Sequence, residues 1–530
     1  MALSACCVLF NLVPVLQTEI LVRWLHLHDV AKLDSAVCST HHRETFLILL
    51  HDEYCVFDYP AKKLNCKHFW WLMRRNVKVS SVHLIDKMFS WHRINLLGAT
   101  GKSLRTLVTS TVSIDNMSSI VFEISTMCTN LEKLVFTGNN LSQNDICSIL
   151  CYLPRLQHLD LSYCTNMTCE MLANICSQPK SLCTLELTYS RIIEGGQHVS
   201  TYSENHIIQN IIILHCNWAS TFLSFALQCK ALHTLYMSDI QLTDVFSVLT
   251  HCPALTTLSA GVRSSESQYI SDEEVTTLIS LVQNLEVLHL FHRFSYHWQD
   301  GQLERLIKGV SNLCALFTAR IDGHPHKLIN NALSNKYRLS TECATRSDNK
   351  LCTYDTGTSS NQLHTLQVDE IISTKLQSLL QCCTQLQSLT IIYLYVTTEE
   401  GDDCVRNLMT TISNSSIRIL DISNCRSLRS AATLPLHNLV SISFNQIVHL
   451  QQSELIVLLK QNPTLKKLSL IHCKSLSQQS LLAIIEQCPG LEELVFDNTC
   501  DSITMSMTLV TGLIKLLRPN LLLTLQLRPE

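Results

Sequence analysis

Three observations on this sequence predict an α/β solenoid, a coil of strand–turn–helix units with parallel strands on the concave face and helices outside. First, the chain nearly repeats itself over a long distance, with LPRLQHLDLSYCTNMTCEMLANICSQP at 153–179 and NPTLKKLSLIHCKSLSQQSLLAIIEQCP at 462–489. Second, the frame L-x-x-L-x-L recurs along most of the chain, its starts mostly 22 to 31 residues apart. Third, 530 residues are too many for one compact core, yet the chain is an ordinary 46% hydrophobic and 16% charged, with only 13 glycines and 11 prolines. An array in which each unit touches only its neighbours reaches this length without one large core.

Each element of the unit follows from its residues. The L-x-L step alternates, which is the period of a short strand with one buried face. It is clear at Leu131-Leu134-Phe136, Leu156-Leu159-Leu161, Leu182-Leu185-Leu187, Leu232-Leu235-Met237 and Leu285-Leu288-Leu290. It returns at Leu386-Leu389-Ile391, Ile417-Leu420-Ile422, Leu439-Ile442-Phe444, Leu465-Leu468-Leu470 and Leu491-Leu494-Phe496, with weaker copies starting at Val79, Leu104, Ile208, Leu255, Leu313, Leu363 and Leu522. A polar turn follows each strand. Then come runs such as CEMLANIC and QSLLAIIEQC, whose apolar residues recur at three and four and so read as helix. One such unit cannot bury its own apolar face; stacked copies can.

Along the chain, residues 1–60 break the frame and read as short amphipathic helices: Leu16, Ile20, Leu21, Trp24 and Leu25, then Val30, Leu33 and Val37. Residues 61–78 are an aromatic and basic connector in which Phe69, Trp70 and Trp71, beside Arg74 and Arg75, wedge that segment onto the first repeat. The repeats occupy 79–527. Their one long gap, from Leu313 to Leu363, contains a polar insertion near 321–362, read as one degenerate repeat followed by an exposed loop. The apolar N-terminus has its first basic residue at Arg23, which lacks the positive n-region of a secretory signal, and no apolar run is long enough to predict a membrane span.

The 25 cysteines are odd in number and contain no CxxC pair, so they read as reduced and buried. Cys164, Cys216, Cys425 and Cys473 stand three residues after the last strand position; Cys128, Cys229, Cys252, Cys383 and Cys488 stand three before the first. A small, weakly polar side chain suits tight interior turns. This spacing resembles the cysteine-containing class of leucine-rich repeats, which implies an intracellular protein and a leucine-rich-repeat horseshoe.

The segment from Val15 to Phe46 resembles an F-box. It offers Leu16, Glu19 and Ile20, then Leu25, Asp29-Val30, Leu33, Val37-Cys38 and Arg43, although Gln17 stands where the motif has proline and His41 and His42 where it has an aromatic. A degenerate F-box ahead of such repeats is the domain order of the F-box/leucine-rich-repeat family. The resemblance implies a substrate-recognition subunit of an SCF-type ubiquitin ligase. Leu16, Ile20, Trp24, Leu25, Val30, Leu33 and Val37 would then face the Skp adaptor of a cullin-based ligase, and the repeats would hold a protein substrate. The alternative is a protein-binding scaffold without a ubiquitin role, in which the same residues only cap the solenoid.

No phosphate-cradling glycine motif, HExxH or GxSxG occurs. The chain reads as non-catalytic, with no cofactor and no metal site. A net charge of -4 without a concentrated basic region argues against nucleic-acid and membrane partners. The expected location is cytoplasmic, with the nucleus as the alternative. On a horseshoe the central x of L-x-L faces the concave side, and that column runs Val135, Asp160, Glu186, Ile212, Tyr236, Ser259, His289, Gln367, Thr390, Asp421, Ser443, Ser469, Val495. From it and its flank, Asp160, Glu186, Tyr236, His289, Phe291 and Asp421 are the candidate partner contacts, aromatic anchors and acids together pointing to a partly basic partner.

Overall fold

The computed structural model describes residues 20–21, 27–37, 40–51, 56–57, 71–72, 74–84, 101–110, 117–138, 141–164, 166–177, 181–190, 204–214, 216, 219–262, 270–292, 301–320, 363–368, 371–392, 394–395, 401–424, 436–447, 450–473, 478–497 and 521–526. The chain forms two compact units, Met1–Leu255 and Thr256–Glu530.

The first unit opens with helices Leu27–Ala36 and Thr40–His51 and a parallel pair of two-residue strands, Val56–Phe57 and Lys78–Val79. Strands Ser81–Leu84, Thr106–Ser110, Lys133–Thr137, His158–Asp160, Thr184–Glu186, Asn210–Ile213 and Thr234–Ile240 then pair in chain order, every pair parallel. Helices Met117–Met127, Gln143–Tyr152, Cys169–Ser177, Ala219–Ala226 and Leu242–His251 alternate with them. The second unit repeats the plan with strands Thr257–Val262, Val287–His292, Ala315–Arg320, Thr365–Val368, Ser388–Ile391, Ile419–Ser423, Ser441–Asn445, Lys467–Ile471, Glu493–Asp497 and Leu522–Gln526. Parallel neighbours in sequence order, most of them joined through a helix among the described residues, make an α/β leucine-rich-repeat solenoid.

The frame leucines carry the fold. Leu134, Leu159, Leu185, Ile211 and Leu235 stack rung on rung, each wholly buried, as do Leu389 and Leu420 farther on. Each contributes about 1.5–3 kcal/mol of hydrophobic burial, which only a neighbouring rung provides. At most entries to the sheet two consecutive N–H groups converge on one carbonyl of the preceding rung, as Gln157 and His158 do on Glu132, Cys183 and Thr184 on Gln157, and Lys466 and Lys467 on Val440, at 2.8 to 3.1 Å. Where helices start, Ser142 caps one by a reciprocal pair with Asp145, and Ser271 another with Glu274.

The cysteines occupy interior turns. Cys164, Cys216 and Cys473 are buried, and each thiol donates to a carbonyl of the preceding repeat, of Phe136, Leu187 and Phe444 respectively. Cys128, Cys229, Cys252, Cys383 and Cys488 are likewise buried; Cys425 lies outside the described residues. Burial pushes the thiols of Cys128 and Cys383 up to about 12 and that of Cys252 to about 11. Cys229 is raised as well, first by its hydrogen bond with Cys176 and then by burial. Thiols held this far from thiolate formation are poor nucleophiles.

One position was invisible as a pattern in the leucines. Two residues beyond the last strand leucine the backbone turns left-handed, with φ of 62° at Tyr163, 55° at Tyr189, 56° at Asn424, 58° at Gln446, 54° at His472 and 74° at Gly138. The N–H groups of Tyr163, Tyr189, Asn424 and Gln446 still reach the next rung, at 2.7 to 2.8 Å. The turn thus ends each strand while extending its ladder by one bond.

Two expectations need correction. The strand Leu522–Gln526 pairs Leu523 with Leu494 and Leu525 with Phe496, so the last repeat is set two residues earlier than a start at Leu522 implies. Leucine at 521, 522, 523, 525 and 527 leaves the frame ambiguous, and pairing with the preceding strand decides it. The strand Ala315–Arg320 pairs directly with Thr365–Val368, so a degenerate repeat in the gap adds no rung between them. Residues 321–362 lie outside the described residues.

Candidate partner-binding face

The N-terminal helices are fastened to the connector by one carboxylate. Asp34 is 3% exposed; its Oδ2 accepts from Trp71 Nε1 at 2.8 Å and Arg75 Nε at 2.9 Å, and Arg43 lies 3.2 Å from Oδ1. Arg43 also donates to the backbone carbonyls of Asp34 and Val37. Trp71 and Arg75 of the connector thus bond to the helix Leu27–Ala36 through Asp34. Phe69 and Trp70 lie outside the described residues.

Of the expected adaptor-facing residues, Val30 and Val37 are buried, while Ile20 and Leu33 are half-buried. Leu16, Trp24 and Leu25 lie outside the described residues. Val30 and Val37 are packed away from solvent, because a segment this small needs apolar side chains for its own core. On the helix Thr40–His51, Phe46, Leu49 and Leu50 are buried, while Ile48 is 71% exposed.

On the repeat sheet the central column is confirmed rung by rung: Val135, Asp160, Glu186, Ile212 and Tyr236 stand in register in the first unit. In the second, Ser259, His289, Phe317, Gln367, Thr390, Asp421, Ser443, Ser469 and Val495 do so, with Phe317 filling a rung that the sequence column left out. Exposure differs from expectation at the aromatic centre. Tyr236 is 1% and His289 2% exposed, so neither presents a ring to a partner. The His289 ring meets Phe317 edge to face at 4.0 Å between centroids. The side chain of Phe291 lies outside the described residues.

The acids fare differently. Asp160, Glu186 and Asp421 are half-buried on the sheet face. Burial raises Asp421 above the usual carboxylate range, against the opposing hydrogen bonds of Ser443 and Ser423. Burial likewise raises Asp160, although Ser162 donates its N–H to Oδ1 at 2.8 Å. Glu186 is pushed up to about 7, by burial first and then by the neighbouring Asp160, with Lys133 opposing. His158 Nε2 lies 3.4 Å from Glu186 Oε1. Burial, followed by the charge of Lys133, lowers His158 to about 4, so this contact joins a neutral imidazole to a carboxyl that titrates near neutrality.

At the left-handed turns ending these two strands, Tyr163 and Tyr189 stack with centroids 5.0 Å apart and planes 24° apart, and Tyr163 is 51% exposed. The pair was missed from sequence, although HLDLSYC and TLELTYS align residue for residue once the turn position is known.

No protein-family model matches the sequence, and no curated protein matches it. Among solved structures, the yeast Rad7–Elc1 complex is similar over 78% of this chain and 88% of its own, at 16% identity and a TM-score of 0.37. A leucine-rich-repeat protein of Leptospira interrogans is similar over 94% of this chain and 98% of its own, at 14% identity and the same TM-score of 0.37. The fold assignment rests on the strand register and alternating helices of the chain itself.

Proposed function

We propose that this protein is a non-catalytic recognition subunit: the repeat sheet binds a protein target and the N-terminal helices dock on the Skp adaptor of an SCF-type ubiquitin ligase. The observation that carries the reading is the division of labour along the chain. A small helical segment, clamped to the connector through Asp34, precedes the sheet while keeping Ile20 and Leu33 half-buried and Ile48 exposed. A receptor of this kind supplies no reacting group; it brings a target close to the ligase.

The second reading, a binding scaffold whose helices only cap the first repeat, draws support from the burial of Val30 and Val37. Adaptor binding separates the two. Purified full-length chain is titrated with the Skp adaptor, alongside Ile20→Asp/Leu33→Asp and a remote surface control, Val457→Asp. The ligase reading expects binding that the double variant abolishes and the control retains, with the melting of the repeats unchanged. No binding of the wild type at micromolar concentrations leaves the scaffold.

A further inference from the structure

We propose that the face of the sheet between His158 and Tyr189 docks an arginine-bearing segment of a protein partner, the guanidinium lying between the carboxylates of Asp160 and Glu186 and the stacked rings of Tyr163 and Tyr189. The inference rests on the reading that the repeat sheet is the partner face, and names the partner chemistry that one stretch of it accepts. Two independent features converge there.

The first is charge. Asp160 and Glu186 are register neighbours on adjacent parallel strands, so their side chains emerge side by side. The charged and titratable groups that face the pair are Lys133, on the neighbouring strand Lys133–Thr137, and His158, on the strand of Asp160 itself; Lys133 also acts on His83, two strands beyond its own. His158 is neutral near pH 7, which leaves two carboxyls against one lysine. Its Nε2 makes no hydrogen bond, so Glu186 is not tied up by its nearest neighbour. A guanidinium would relieve the repulsion between the acids and donate to their oxygens through its fork of N–H groups.

The second is aromatic. Tyr163 and Tyr189 follow Asp160 and Glu186 by three residues each, at the turn that closes the same strands. A stacked tyrosine pair, Tyr163 exposed and Tyr189 half-buried, at the turns of the strands that carry the carboxylates is a surrounding that favours a planar cation over an ammonium. Elsewhere on the column the acid Asp421 has Ser423 and Ser443 as hydroxyl partners, and Asn424 stands at its turn position, so the pairing of acid and tyrosine is not repeated there.

The test uses full-length protein and a fluorescein-labelled Gly-Ser dodecapeptide carrying two adjacent arginines, with a citrulline version for comparison. The arginine peptide is expected to bind, the citrulline peptide at least tenfold more weakly. Asp160→Asn/Glu186→Gln should weaken the arginine peptide at least tenfold and Tyr163→Ala about threefold or more, while Glu486→Gln, an exposed acid on the helix Gln478–Gln487, leaves it unchanged. Affinity should rise between pH 6 and 8 as Glu186 loses its proton. No binding to the wild type, equal affinity for the citrulline peptide, or undiminished binding by the folded Asp160/Glu186 variant overturns the inference. Adaptor binding measured on the same samples keeps the two readings apart: adaptor held with peptide refused sinks only the arginine site, and the reverse sinks only the ligase role.

Discussion

The N-terminal helices and the repeats are stabilised in opposite ways. Around residues 27–51 a few strong contacts meet at one buried carboxylate, Asp34, which is approached by Trp71, Arg75 and Arg43. In the repeats modest contacts recur along the ladder: a buried leucine, a shared carbonyl and, at several turns, a thiol or amide. A hub concentrates risk in one residue, whereas a ladder spreads it and confines damage to a rung and its neighbours.

The largest effect should therefore follow from breaking the hub. Asp34→Ala leaves Arg43 and Arg75 without their carboxylate, and losing one partner of a buried pair costs about 3–5 kcal/mol. Both arginines keep partial access to water, which places the expected loss near the lower end, about 3 kcal/mol. The change should appear as faster amide exchange and proteolysis within residues 27–51, with the exchange of the strands beyond Lys133 unaltered. Global unfolding of both units together would contradict the contrast between hub and ladder.

The matching experiment on the ladder is Asn462→Ala. Asn462 stands three residues before Leu465, the place that Cys128, Cys229, Cys252, Cys383 and Cys488 hold in other copies. Its side chain accepts from Leu439 N at 2.9 Å and donates to Leu436 O and Leu458 O at 2.8 Å each. Alanine orphans those buried groups, at about 1–3 kcal/mol each before relaxation, so a total of about 2–4 kcal/mol is expected by chemical denaturation. Asn462→Cys should recover part of it. Equal stability of the alanine variant would show that the turn reorganises without this amide.

This position also shows what sequence can reveal. The leucine frame is legible because strand alternation forces apolar residues to fixed spacings, and the register follows it at every regular copy. The turn position is legible as a place but not as a residue, since cysteine, asparagine, valine and leucine all fit a small interior space. Asp34 was not legible: it joins side chains 37 and 41 residues away, and no local period announces such a pairing. Nor was the burial of Tyr236 and His289, because the column predicts which face a residue occupies and not how much of that face is open. Asp160 and Glu186 were legible as a column pair, while the tyrosines beside them required the left-handed turn to be seen first.

Glu186 offers a pH-dependent comparison between strained and relaxed rungs. Its native pKa, about 7, lies above the ordinary 4.5, so the folded state holds the proton more tightly than the unfolded chain. Stability from this group is full below pH 4.5 and falls as pH rises toward 7. His158 runs the other way: lowered to about 4 from 6.5, it makes stability rise over pH 4 to 6.5. Comparison with Glu186→Gln isolates the carboxyl. The variant should match the wild type at pH 4 and exceed it by about 1–3 kcal/mol at pH 8, a range reduced from the full shift because the side chain is partly solvated. A constant difference across the range would mean that Glu186 keeps an ordinary pKa.

The smallest effect tests whether the repeated left-handed turn is a cost shared by the copies. His472 sits at φ 54° and Gly138 at 74° in the same place of two repeats. A side chain in that region costs about 1–2 kcal/mol, and glycine returns part of the gain through its more mobile unfolded chain. His472→Gly should thus stabilise the second unit by about 0.5–1 kcal/mol, whereas Gly138→Ala should destabilise the first by about 1 kcal/mol. Opposite signs, read from the denaturation midpoints of the two variants, would show that the turn conformation belongs to the repeat and the residue is fitted to it. If both substitutions destabilise, the His472 side chain contributes packing that outweighs its backbone strain, and the position is specialised copy by copy.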